Sequence, residues 1–157
     1  MKHLLALFLT TWCAQARLGE NRDELVVRLG PVRTTSKHSI IAQGQISALG
    51  QTFVFEKDGW HIQCDMIGDR CARINYSKKG DWTPEQVATL LENNTQSHQW
   101  TEDADSQKQI RKWTRSDRAV AKWQFTGVME LTSPAYFAAK TKREAELKEK
   151  ATKKPDL

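Results

Sequence analysis

The clearest structural signal in the pattern of apolar and polar positions runs from Phe53 to Cys64, although the best alternation comes later, over Ala119 to Leu131. Phe53-Val54-Phe55-Glu56-Lys57 and Trp60-His61-Ile62-Gln63-Cys64 flank Asp58-Gly59, a dipeptide comfortable at positive φ in a two-residue turn. This spacing predicts a hairpin pairing Phe55 with Ile62 and Phe53 with Cys64. Val54, Glu56, His61 and Gln63 then take the opposite face. Gly68-Asp69 predicts a second turn, between Ile62/Cys64/Met66 and Ala72/Ile74/Tyr76. That parity points Cys71 away from Cys64 unless a bulge near the turn rotates it.

Helical signals flank this core. Asn21 reads as the N-cap of a short helix with Asp23 and Glu24 in its first turn, Leu25, Val26 and Leu29 on its apolar side, and Gly30-Pro31 as its stop. Residues 32–39 are polar and read as a loop, and Ile40 to Ile46 as a strand. Thr83-Pro84-Glu85 opens a second helix with Val87, Leu90 and Leu91 buried and Asn93-Asn94 at its end. Residues 95–108 are polar and acidic and predict a loop. A strand follows over Ile110 to Arg115, then a Ser116-Asp117-Arg118 turn. One long strand carries Ala119, Ala121, Trp123, Phe125, Met129 and Leu131 on one parity, with Gly127 as a bend. Ser133-Pro134 opens a last helix, in which Glu144/Lys148 and Glu146/Lys150 stand four apart. Its apolar stripe fades after Phe137, which predicts a solvated outer half. Together these elements predict an α+β fold, an antiparallel sheet of hairpins with helices packed on one face.

The N-terminus changes the setting. Lys2 and His3, the apolar run Leu4 to Trp12 and the small-x-small triplet Ala14-Gln15-Ala16 form the pattern of a secretory signal peptide cleaved after Ala16. The run is far shorter than the roughly 20 residues that span a bilayer. Trp12 is too bulky for the small-residue slot that lipid attachment at Cys13 requires. The expected organisation is a signal peptide over 1–16, a single α+β domain over 17–138, and a basic solvated helix and tail over 139–157. The expected location is secreted or periplasmic, with no transmembrane segment in the mature chain.

Charge adds little. The chain has 24 Lys and Arg against 19 Asp and Glu, a net +5. Much of the excess falls in the last eighteen residues, where Lys140, Lys142, Arg143, Lys148, Lys150, Lys153 and Lys154 outnumber the acids. No organised reading element accompanies it, so no nucleic-acid partner is expected. Export makes a Cys64–Cys71 disulfide the candidate covalent feature, because an unpaired surface thiol is a liability in an oxidising compartment. His38, His61 and His98 lack metal-ligand spacing and read as surface residues, so neither a metal nor a catalytic set is expected, and no cofactor. Trp60, Trp100 and Trp113 fall near turns or loop ends, where a ring could anchor a protein or stack on a sugar.

Gly19-Glu20-Asn21-Arg22-Asp23-Glu24-Leu25-Val26-Val27-Arg28-Leu29-Gly30-Pro31 resembles the short helix motif of the SmpA/OmlA (BamE-like) domain. Gly19, Leu25, Leu29 and Gly30 fall at matching offsets, and Asn21 stands where that family has Thr or Ser. Pro31 comes one position early, and Thr52 to Tyr76 is similar to the family's hairpins. The resemblance implies an α+β, non-enzymatic module of the cell envelope that binds other exported proteins. A second helix-plus-hairpin unit, Trp82 to Phe137, and the missing lipid-attachment motif set the chain apart. They bring it nearer to uncharacterised small exported proteins with this longer layout. The alternative is a glycan or cell-wall binding protein that uses the exposed tryptophans.

Overall fold

Two helix-plus-meander units joined along one seam make up the computed structural model, which describes residues 15–106 and 109–153. Most of the expected signal peptide, Cys13 included, and the last residues of the tail lie outside the described residues. The first unit is α1 (Arg22–Leu29) followed by β1 (Thr34–Ala42), β2 (Gln45–Lys57), β3 (Trp60–Ile67) and β4 (Arg70–Lys78). The second is α2 (Pro84–Asn93) followed by β5 (Trp100–Glu102), β6 (Ile110–Arg115), β7 (Val120–Gln124) and β8 (Val128–Thr132). The strands form one antiparallel sheet in the order β1-β2-β3-β4-β8-β7-β6-β5, so the last strand of each meander meets the other. Helix α3 (Pro134–Thr152) closes the chain.

Local chemistry fixes the boundaries. Asn21 and Glu24 form a reciprocal capping box on α1, and Thr83 and Gln86 form one on α2. Ser133 accepts from the Tyr136 amide at the start of α3. Asp58 and Gly59 both have positive φ, and the first hairpin pairs Phe55 with Ile62 and Phe53 with Cys64.

Three expected elements are corrected. The polar stretch 32–39 is mostly strand: β1 starts at Thr34 and is an edge strand, so its Thr and Ser side chains meet water at no cost. The strand expected over Ile40 to Ile46 is broken by a two-residue turn, because Gln43 and Gly44 both take positive φ. The long strand expected over 119–131 is the hairpin β7–β8, its three-residue loop closed by Gly127 at positive φ. The parity survives because Trp123 pairs with Met129 across that turn, and Phe125 at its tip is exposed. Within the acidic loop, Trp100–Glu102 adds β5 beside β6.

The apolar core lies on one sheet face. Phe53, Phe55, Ile62, Ile74, Tyr76, Trp123, Met129 and Leu131 pack with Leu25 and Leu29 of α1 and Val87 and Leu90 of α2. Helix α3 takes the opposite face: its Tyr136 meets His38 and Arg73, which share the register side of Thr52 and Asp65, not of Phe53 and Cys64. The helices therefore cover two faces rather than one. The outer half of α3 buries Leu147 while Phe137 stays partly exposed.

Candidate functional site

The face under α3 holds a polar cluster built from strand register. Thr52, Asp65 and Arg73 are cross-strand partners on β2, β3 and β4, and His38 on β1 stands opposite Gly50, two residues from Thr52. Asp65 has no exposed surface. Its carboxylate accepts from Thr52 Oγ1 at 2.6 Å, from Gln63 Nε2 at 3.2 Å and from Arg73 Nε at 2.7 Å, with Arg73 Nη2 at 2.6 Å. Both guanidinium donors converge on one carboxylate oxygen, Oδ2, while Oδ1 takes Thr52 and Gln63, so each oxygen of the buried charge has partners. The Arg73 guanidinium also lies 4.6 Å from the centre of the Tyr136 ring, and its Nη1 is 3.8 Å from Glu130.

His38 links this ion pair to α3. Its Nδ1 is 3.6 Å from Asp65 and its Nε2 is 2.9 Å from the Tyr136 hydroxyl. An Nδ1–H facing the carboxylate leaves Nε2 to accept from that hydroxyl. Burial lowers the His38 pKa and outweighs the opposing pull of Asp65, with Arg73 lowering it further. Burial likewise raises the Tyr136 pKa, against Arg73. Both rings are thus neutral at pH 7, and the hydrogen bond between them joins two uncharged groups.

The carboxylate–imidazole–hydroxyl order resembles that of an acid–base relay, yet His38 and Tyr136 are both buried and α3 covers them. A relay needs a reacting atom within hydrogen-bond reach; here the hydroxyl belongs to the covering helix itself. The cluster's chemistry is to fasten α3 to the sheet. Its tolerance depends on Gly50, where an added Cβ would lie 1.8 Å from the Met66 carbonyl oxygen of β3.

Sequence reasoning placed His38 on the surface and missed the set. The signal was present in part, since the Asp58-Gly59 register already brings Thr52 opposite Asp65, and an acid central in a strand asks for a partner. What covers that face was not legible. His61 and His98 are exposed as expected, beside Glu56 and Ser116. Among the described residues, no group of His, Cys, Asp and Glu could hold a metal ion.

The other candidate residues lie elsewhere. A β-bulge between Asp65 and Met66 sets Cys71 opposite Met66 and turns it to the Cys64 side. Cys64 and Cys71 are both buried, and the structure holds them as free thiols. Their thiols lie close enough to interact with each other. Burial first, then contact with the Cys64 thiol, pushes the Cys71 pKa well up, which leaves it an unreactive thiol.

Trp100 and Trp113 share one face of the β5–β6 pair at diagonal positions, since Trp100 stands opposite Arg115 and Trp113 opposite Glu102, and Trp60 lies on β3. Trp60 packs edge-on against Trp82 at 4.8 Å under Lys78. Trp100 donates Nε1–H to the Leu91 carbonyl and carries Arg115 over its ring. Trp113 is buried, with Arg111 over it. Arg115, which is buried, holds Asp117 through Nε and Nη2, each at 2.7 Å, and donates Nη1–H to the Asn94 carbonyl. Comparison of the chain with protein-family models, with curated proteins and with solved structures finds no match, so the reading of its function rests on these residues alone.

Proposed function

We propose that the chain is an exported, non-enzymatic protein-binding module of the cell envelope. One observation carries the reading: Ile41 and Ile46, cross-strand partners beside the β1–β2 turn, are 75% and 77% exposed. They stand at the end of a strand with no neighbour on its outer side, since β1 is the edge of the sheet. Edge strands of this length are usually blunted or covered. An extended segment of a partner protein, laid along β1, would pair its free backbone groups and cover the isoleucines. The signal-peptide pattern and the SmpA/OmlA-like helix motif support the same class.

The alternative, a glycan or cell-wall binder, calls for aromatic rings in a common exposed plane. Trp113 is instead buried, and Trp60 and Trp100 are partly buried and packed against the core.

The test is a photo-reactive amino acid at Ile41 in the exported full chain. Adducts with an envelope protein, lost when Ile46→Asp is added while melting is unchanged, are expected. Adducts with glycan only, or none, would refute the reading.

A further inference from the structure

The residues at the expected cleavage point are built into the core. Ala16 and Leu18 are fully buried and belong to the cluster that includes Tyr76 and Leu90. The Ala16 carbonyl accepts from the Tyr76 hydroxyl at 2.5 Å and from Asn94 Nδ2 at 3.4 Å. The Leu18 amide donates to Asn94 Oδ1 at 2.9 Å, and its carbonyl accepts from the Gln96 side chain. Gly19 N–H donates to the Cys71 carbonyl at 2.7 Å, and Cys71 N–H to the Glu20 carbonyl at 2.8 Å. That pairing fills the start of β4, where β8 does not yet run alongside, because the β4–β8 register begins at Arg73. Gln15 accepts from the Asn93 side chain. The stretch from Gln15 to Glu20 is thus a strap that ties α2, β4 and the core together.

Hydrolysis between Ala16 and Arg17 would add water across that peptide bond. Ala16 would leave with the leader as a carboxylate, and Arg17 would begin the chain as an ammonium. The departing residue takes with it the carbonyl that Tyr76 uses. Among the described residues this hydroxyl donates to no other acceptor, and Tyr76 is 1% exposed. A buried donor without a partner and a methyl-sized hole are both unfavourable.

We infer that the leader is removed on the N-terminal side of Ala16, so that Ala16 stays in the mature chain as the first fixed residue of the fold. The inference rests on the export reading above. In the sequence, Thr11 and Cys13 stand at the same small-x-small spacing, with Ala14 next.

Two measurements on the full chain test it. Expressed with its own leader in a secreting bacterium, the folded protein is sequenced from its N-terminus; a processed start after Met1 and no later than Ala16 is expected, and a start at Arg17 overturns the inference. The unprocessed chain, recovered folded from the cytoplasm, is treated with trypsin under native conditions. Cutting after Arg17 should be as slow as cutting after Arg73 in the middle of the sheet, because both require the core to open. Faster cutting after Arg17, by tenfold or more, overturns the inference whatever becomes of the leader. An intact Met1 in every fraction removes the export reading alone, and the trypsin result then decides whether Ala16 is held.

Discussion

Replacing Asp65 by alanine should cost about 3–4 kcal/mol, more than any other single polar deletion on this face. The carboxylate holds Thr52 at 2.6 Å and both donors of the Arg73 fork at 2.6 and 2.7 Å. A hydrogen bond to a charged group contributes roughly 1.5–3 kcal/mol. One consideration limits the sum. Arg73 is 21% exposed, so water and Glu130 at 3.8 Å recover part of its loss. Thr52, nearly buried, has no such recourse. Breaking a buried pair from one side typically costs about 3–5 kcal/mol, and the partial exposure of Arg73 places Asp65→Ala at the lower end. For a domain of this size the melting temperature should fall by roughly 10 °C. Urea titrations of Asp65→Ala, Arg73→Met and the double variant form the assay, with a coupling of about 2 kcal/mol expected. Tyr136→Phe, which removes one hydrogen bond between neutral groups, should cost only about 1 kcal/mol. Because Arg73 carries the Tyr136 ring, amide exchange should accelerate in α3 before it does in β6 or β7. A loss under about 1 kcal/mol for Asp65→Ala, or additive single variants, would refute the view that this cluster fastens α3.

Three further outcomes follow from the packing. Gly50→Ala should destabilise by about 3 kcal/mol, since the new methyl meets a backbone oxygen of β3 that cannot rotate away; an unchanged thermal melt would refute the close approach. Asp117, held down to a pKa of about 2 chiefly by its hydrogen bonds from Arg115, should contribute up to about 2 kcal/mol above pH 4 and lose it as pH falls toward 2; Asp117→Asn should flatten that part of the stability profile. Thiol titration should find no reactive cysteine in the native protein and both Cys64 and Cys71 on unfolding; an absence of thiols after unfolding would show a bridge.

Turns and caps were legible in the sequence because their chemistry is local. Asn21, Thr83 and Ser133 cap helices through their own side chains, and Asp58-Gly59 sets its hairpin register without help from the rest of the chain. Errors arose where tertiary context decides. Residues 34–39 look like a loop because an edge strand tolerates Thr and Ser on both sides. The turn at Gln43-Gly44 lacks the Asn-Gly or Asp-Gly signature and passed as strand interior. For the polar cluster, the Thr52–Asp65 pairing was implicit in a register already read. Its closure depends on α3, about seventy residues further along, coming to the second face through Tyr136. Strand parity tells which residues share a face; it does not tell which helix will cover it.

The seam between the two meanders has a consequence for how the molecule assembles. Inside the first meander every strand joins the next through a two-residue turn, and in the second the connections run from three to seven residues, so those contacts form quickly and locally. Arg73 to Ser77 of β4 must instead find Thr132 to Val128 of β8 across the whole second unit. Loop closure delays this step. Until it is complete, both strands present bare edges, and β4 carries Ile74 and Tyr76 unshielded. A half-assembled chain is therefore a sticky one. An identical second unit from a neighbouring molecule could make the same antiparallel seam, which makes strand exchange between copies the characteristic misfolding route of this architecture.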